Sequence, residues 1–249
     1  MSTSSIVVVR HACDGGTKPS GETIPFNSNI KFNNQGSHTK IDANNAVTIP
    51  INWLGARGLK QAAGLAAVLQ GLLINYCPVS RIVTEDTGSA NNDGTSNPLH
   101  TISFYANSIN PQQQVHFDIY NGGDVPSAKI FNTDELLKDG IGTFSTVICW
   151  EAKGMWRHDS GDFQSDSILG LLGHCGPNGG KVANYDQMKE NQPYKGQIIY
   201  IFECSHTDHS LTLKMYNYDV TQPEDKQVTE ITSTSSWPGN LCPKSEQHD

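Results

Sequence analysis

Arg10 and His11 stand side by side directly after the run Ile6-Val7-Val8-Val9. A guanidinium offers a planar fork of donors that suits a phosphate or a carboxylate, and an imidazole can attack an electrophile or carry a proton. Two other runs end in the same manner. "SRIVTE" delivers Glu85 and then Asp86, and "TVICW" delivers Glu151, Ala152 and Lys153. In open α/β sheets, ligands bind beyond the carboxyl ends of the strands, so three points far apart in sequence can share one rim. The bland alternative is an Arg-His dipeptide exposed on the surface. Arg57, just before a long helical pattern, is a second candidate cation for the pocket or a simple surface residue, and Trp150 is a candidate cleft wall or core filler.

The elements that must position these groups follow from periodicity. Residues 6–10 and "FSTVICWE" read as buried strands of the kind found inside parallel sheets. "LGARGLKQAAGLAAVLQGLLINY" repeats its apolar residues at helical spacing. A second helix is expected from "SNPLHTISFYANSI", with Asn97 as N-cap and Pro98 at the first helical position. Further expected elements are a strand in "VHFDIY", helices in "SAKIFNTDELLKDG" and "DFQSDSILGLLGHCG", and an antiparallel pair from "QIIYIFEC" and "SLTLKMYNYDV". The polar stretch 14–50 reads as a long loop. The expected architecture is α/β, a three-layer sandwich whose central sheet is mostly parallel with antiparallel edge strands. One domain covers 1–222, and a polar C-terminal tail covers 223–249.

Composition limits the partners. A formal charge of −8 with no basic cluster argues against a nucleic-acid surface. No run approaches the ~20 apolar residues of a membrane helix, and "MSTSS" lacks the basic start of a secretory signal. Six scattered cysteines without a C-x-x-C pair read as free thiols, and the expected location is cytoplasmic. "ECSHTDH" gathers metal-ligand types but reads as the polar turn of a hairpin, and "WRHDSGD" as a solvated loop. No metal and no cofactor is expected, since neither a phosphate-cradling glycine loop nor a dinucleotide fingerprint is present.

Four segments taken in order carry a resemblance. "VVVRHAC", "LGARGLKQAAGLAAVL", "TSNPLHTI" and "VICWEAKGM" resemble the successive motifs of the histidine phosphatase superfamily, the phosphoglycerate-mutase-like fold, over roughly residues 5–220. The resemblance implies that His11 is a nucleophile that becomes phosphohistidine, with Arg10 beside the phosphate. It also implies a second arginine, which falls on Asn97, and a second histidine, which falls on Ala152 with Glu151 one place before it.

Both departures weaken phosphate chemistry. A missing bidentate arginine removes charge-assisted bonds of about 1.5–3 kcal/mol each. A missing donor at the transition state costs about 10²–10³ in rate. A helix N-terminus at Asn97 restores only part of this. If the register differs by one residue, Glu151 takes the place of the second histidine as acid or base. Two losses point to divergence rather than to one engineered knock-out. The expected function is a divergent enzyme acting on a small anionic or phosphorylated metabolite, with ordinary phosphomonoesterase activity weak or lost. Its catalytic candidates are His11, Arg10 and Glu151; Arg57, Asn97, Ala152 and Trp150 are the binding candidates. The alternative is a non-catalytic pseudophosphatase that binds a ligand or partner.

Overall fold

Four consecutive β-branched residues have no polar face to offer water, so the segment Ser5–Arg10 is buried along its whole length. The computed structural model describes residues 3–13, 20–35, 37, 39–52, 54–87, 95–121, 144–155, 158–159, 162–163, 167–190, 197–205 and 210–232. In chain order the elements run β1 (Ser5–Arg10), β2 (Ser20–Pro25), β3 (Ile30–Gln35), β4 (Lys40–Ile41), β5 (Ala46–Asn52) and α1 (Ala56–Leu73). Then come β6 (Val79–Glu85), α2 (Asn97–Ser108), β7 (Val115–Tyr120), β8 (Ser145–Trp150) and the short α3 (Ala152–Met155). The ribbon β9 (His158–Asp159) and β10 (Asp162–Phe163) precedes α4 (Ile168–Gly173) and α5 (Tyr185–Glu190). Strands β11 (Gln197–Cys204), β12 (Leu211–Tyr218) and β13 (Val228–Glu230) complete the order.

Eight strands form one mixed sheet in the order β13-β12-β11-β1-β8-β6-β7-β3. From β1 to β3 every neighbouring pair is parallel, and from β1 to β13 every pair is antiparallel. The protein is therefore α/β with a mostly parallel central sheet. Because β1, β8, β6 and β7 are parallel, their carboxyl ends meet at one edge. Side chains alternate between two cores. Val7, Val9, Val147 and Ile82 face the cluster that includes Leu65, Leu69, Leu99 and Ile102 of α1 and α2. Ile6, Val8, Ile148 and Val83 face the cluster that includes Met155, Leu169, Leu172 and Met188 of α3 to α5. Helices thus cover both faces of the sheet.

The stretch 14–50 departs from the loop expectation: its described part holds four strands. β3 joins the edge of the main sheet beside β7, and β2, β5 and β4 form a small antiparallel sheet. The reason lies in half-burial. Ile24, Phe26, Ile30, Val47 and Ile49 are buried, while Thr, Asn, Glu and Lys occupy the alternate positions and mask the apolar signal. Phe26, Phe32 and Phe117 meet with ring centroids 5.0–5.4 Å apart, which anchors β3 against β7. Past residue 222, where a polar tail is expected, Val228–Glu230 pairs with β12. The helix expected in "SAKIFNTDELLKDG" and the segment 233–249 lie outside the described residues. Among the described residues, no helix is long and apolar enough to cross a membrane.

Candidate functional site

Strand β1 hands its end to a short turn, residues 11–13, whose backbone groups are met one by one by other elements. The His11 N–H donates to the Trp150 carbonyl at 3.2 Å, extending the β1–β8 ladder by one residue. The Ala12 N–H donates to Thr101 Oγ1 of α2 at 2.9 Å. The Cys13 N–H donates to Gln61 Oε1 of α1 at 2.8 Å. The Gln197 side-chain amide of β11 donates to the Arg10 carbonyl. Gly58 of α1 lies directly beneath this turn, since a Cβ there would stand 2.2 Å from the Cys13 carbonyl oxygen. Buried polar backbone must be paired, and here the partners come from four different elements. The turn is fixed as firmly as the strand before it.

His11 is 6% exposed, and its Nδ1 lies 2.7 Å from the Ala12 carbonyl oxygen. A carbonyl only accepts, so Nδ1 carries the proton and Nε2 carries the lone pair. Burial lowers the His11 pKa to about 3, and the adjacent Arg10 guanidinium pushes the same way, against a smaller opposing pull from the Ala12 carbonyl. The imidazole is therefore neutral near pH 7. A neutral ring with a defined tautomer is the form that attacks an electrophile or accepts a proton.

The carboxylates at the same edge are also fixed. Arg10 is opposite Trp150, Thr84 is opposite Cys149, and Glu85 is opposite Tyr120. Strand alternation then sets Arg10, Trp150, Glu85 and Tyr120 in one row on one face of the sheet. Glu85 is 2% exposed and its Oε1 accepts the Glu151 N–H at 2.6 Å. Asp86 accepts from Ser96 Oγ at 2.7 Å and from the Thr39 hydroxyl, which ties the end of β6 to the start of α2 and to the residue before β4. Burial, reinforced by the negative charge of Glu85, pushes the Cys149 thiol well up and keeps it protonated.

Each candidate has a definite place. Arg10 and His11 lie at the end of β1, and Glu151, half-buried, follows β8. Asn97 opens α2 and is 1% exposed. It lies four residues before Thr101, on the same face of the helix, so that face turns toward the 11–13 turn. Ser96, not Asn97, occupies the N-cap position, and its hydroxyl serves Asp86 instead of the helix end. Ala152 is the first residue of α3, and its side chain falls outside what is described. Trp150 is 1% exposed and packs in the core against Tyr120. Arg57 is partly exposed, and its charge helps hold the Asp219 carboxyl below its ordinary range after the turn hydrogen bonds to Thr221 and Gln222.

Three residues that hold the turn, Gln61, Thr101 and Gln197, carry no sequence signal for that role. Each reads as an ordinary helix or strand residue, and only the fold brings it to the turn. The cysteines also need a correction. Cys77, Cys149, Cys175 and Cys204 are free, as expected, but Cys13 is in a disulfide. Among the described residues no group of three or more His, Cys, Asp or Glu could hold a metal ion. Glu203 of "ECSHTDH" accepts from Tyr76 at 2.5 Å and from Lys214 at 2.7 Å, Cys204 is buried, and residues 206–209 lie outside the described residues. No family model matches the chain, and neither a curated protein nor a solved structure matches it.

Proposed function

We propose that the chain is a divergent enzyme of the histidine phosphatase type. In this reading it acts on a small anionic or phosphorylated metabolite, with His11 as nucleophile or general base and Arg10 orienting the substrate. The observation that carries the reading is the 2.7 Å contact between His11 Nδ1 and the Ala12 carbonyl oxygen. Nδ1 is committed to the Ala12 carbonyl, so the lone pair sits on Nε2 of a neutral ring beside a guanidinium. This placement, at the carboxyl edge of a parallel sheet, is where such folds collect ligands. Glu151, after the neighbouring strand β8, is the group best placed in sequence to supply or take the second proton.

Phosphomonoesterase turnover is expected to be slow, because Asn97 and Ala152 stand where the resemblance asks for an arginine and a histidine. The test is chemical. Incubation with phosphoramidate, a donor that phosphorylates imidazoles, is expected to place a phosphoryl group on His11, detected by mass spectrometry at neutral pH and absent in His11→Gln. Hydrolysis of p-nitrophenyl phosphate is expected to stay far below the ~1–10³ s⁻¹ typical of enzymes. A His11→Gln variant that folds and accepts the phosphoryl group elsewhere with equal yield overturns the reading. The binding-module reading then takes its place, checked by thermal shift against inorganic phosphate and simple phosphomonoesters.

A further inference from the structure

One peptide unit, that between Trp150 and Glu151, joins three of the groups at the sheet edge. Its carbonyl accepts the His11 N–H at 3.2 Å, and its own N–H donates to Glu85 Oε1 at 2.6 Å. We propose that Glu85 is a positioning residue of the His11 site, acting through this peptide to fix both His11 and Glu151. The proposal rests on the reading of His11 as the reactive group, and it adds a residue that the sequence motifs do not single out.

Three observations converge on it. Glu85 is 2% exposed at the end of β6, one strand beyond β8, where a carboxylate is expensive to bury without compensation. The contact it makes is short, at 2.6 Å. Hydrogen bonds in a chain polarise one another, so a peptide whose N–H is engaged presents a better carbonyl acceptor to the His11 N–H on the far side. The Glu85 oxygen therefore supports the bond that extends the ladder to His11. The backbone of Glu151 leaves from the same peptide, and the Met155 N–H closes α3 on the Glu151 carbonyl at 3.0 Å. Glu151 is thus held on both sides, and the spacing between it and His11 is set by a single rigid plane. Reactive groups need placement to within about 0.5 Å, which a loop end seldom supplies unaided.

Two substitutions separate the bond from the charge. Glu85→Gln keeps an oxygen at the same reach and removes the charge. Glu85→Asp keeps the charge and falls one methylene short of the Glu151 N–H. The readout is the His11 imidazole, followed by NMR through a pH titration and identified by its loss in His11→Gln. In the wild type and in Glu85→Gln, His11 is expected to stay neutral through the mildly acidic range. In Glu85→Asp its midpoint is expected to rise by at least about one pH unit, a tenfold change in proton affinity, as the loosened ring regains water. An unmoved midpoint in Glu85→Asp overturns the proposal, and so does Glu85→Gln behaving like Glu85→Asp.

If Glu85→Asp does not fold, the backbone amides of Glu85→Gln decide. The Glu151 and His11 amide resonances are expected to shift together, and a silent His11 amide overturns the proposal. The two readings fail separately. Phosphoryl transfer that survives His11→Gln removes the functional reading and leaves the Glu85 result standing. An unmoved His11 titration removes the positioning role whatever the activity.

Discussion

His11 Nδ1 lies 2.7 Å from the carbonyl oxygen of Ala12, the residue that follows it. This local contact decides which ring nitrogen carries the lone pair. Two other constraints make it durable. The Cys13 N–H, which shares a peptide with the accepting carbonyl, is held by Gln61, and the His11 N–H is held by Trp150. The ring's chemistry is therefore written in backbone geometry, and side chains from distant elements keep that geometry in place.

The first prediction concerns pH. The folded-state pKa of His11, about 3, lies below its ordinary value of 6.5, so the unfolded chain binds more protons between those values. Stability from this group is complete above about pH 6.5 and is lost as pH falls toward about 3, at roughly 1.4 kcal/mol per pH unit within the window. His100 is also held below its ordinary range by burial, with Glu22 opposing, and adds a loss of the same sign. Urea midpoints measured from pH 7 to pH 4 are expected to fall steeply in the wild type and less steeply in His11→Gln. Parallel slopes would show that His11 takes up its proton in the folded protein as easily as in the unfolded chain.

The second prediction concerns the glycines of α1. At Gly58 a methyl group would stand 2.2 Å from the Cys13 carbonyl oxygen, which is backbone and has no freedom to turn aside. Gly58→Ala must therefore push α1 away from the 11–13 turn and strain the Gln61 bond to Cys13. The expected cost is about 1–3 kcal/mol, the range of overpacking. At Gly71, on the same helix, nothing lies within 4 Å of the added Cβ. Gly71→Ala is expected to stabilise by up to about 1 kcal/mol through helix propensity alone. Chemical denaturation of the two variants gives opposite signs if the turn rests on α1 as described, and equal signs would contradict it.

How much of this was legible in the sequence varies by element. Strands β1 and β8 announced themselves through uninterrupted apolar runs, and α1 through its spacing, because full burial leaves a strong compositional mark. The strands between residues 20 and 52 did not, since each buries one face only and spends the other on Thr, Asn, Glu and Lys. Arg10, His11 and Glu151 could be picked out because a polar group ending a buried run is conspicuous. Gln61, Thr101 and Gln197 could not, because they reach the site across sequence separations of 48, 89 and 187 residues. Trp150 shows the limit of residue type as a guide: the sequence leaves cleft wall and core filler equally open, and only the fold shows that it is buried. The disulfide at Cys13 was hidden for a related reason, since scattered spacing says nothing of which thiols meet.

The last prediction concerns Thr101. Its hydroxyl is the acceptor for the Ala12 N–H at 2.9 Å, and both groups are buried. Thr101→Val keeps the shape of the side chain and removes the oxygen, which leaves a buried N–H without its partner. That omission costs about 1–3 kcal/mol, more than the bond contributes on balance, because the donor has lost its water as well. Thr101→Ser keeps the oxygen and removes a methyl group, for which about 1 kcal/mol is the expected cost. The two variants differ further at the site. Freed from Thr101, the His11–Ala12 peptide is able to tilt, which turns Ala12 and draws its carbonyl, on the next peptide, away from the His11 Nδ1. Thr101→Val is therefore expected to slow phosphorylation of His11 by phosphoramidate at least tenfold, the equivalent of about 1.4 kcal/mol in the barrier, while Thr101→Ser stays close to the wild type. Urea unfolding and the phosphorylation time course, run on the same preparations, separate the two effects. A Thr101→Val protein that loses stability yet phosphorylates at the wild-type rate would show that Thr101 holds the fold and leaves the imidazole untouched.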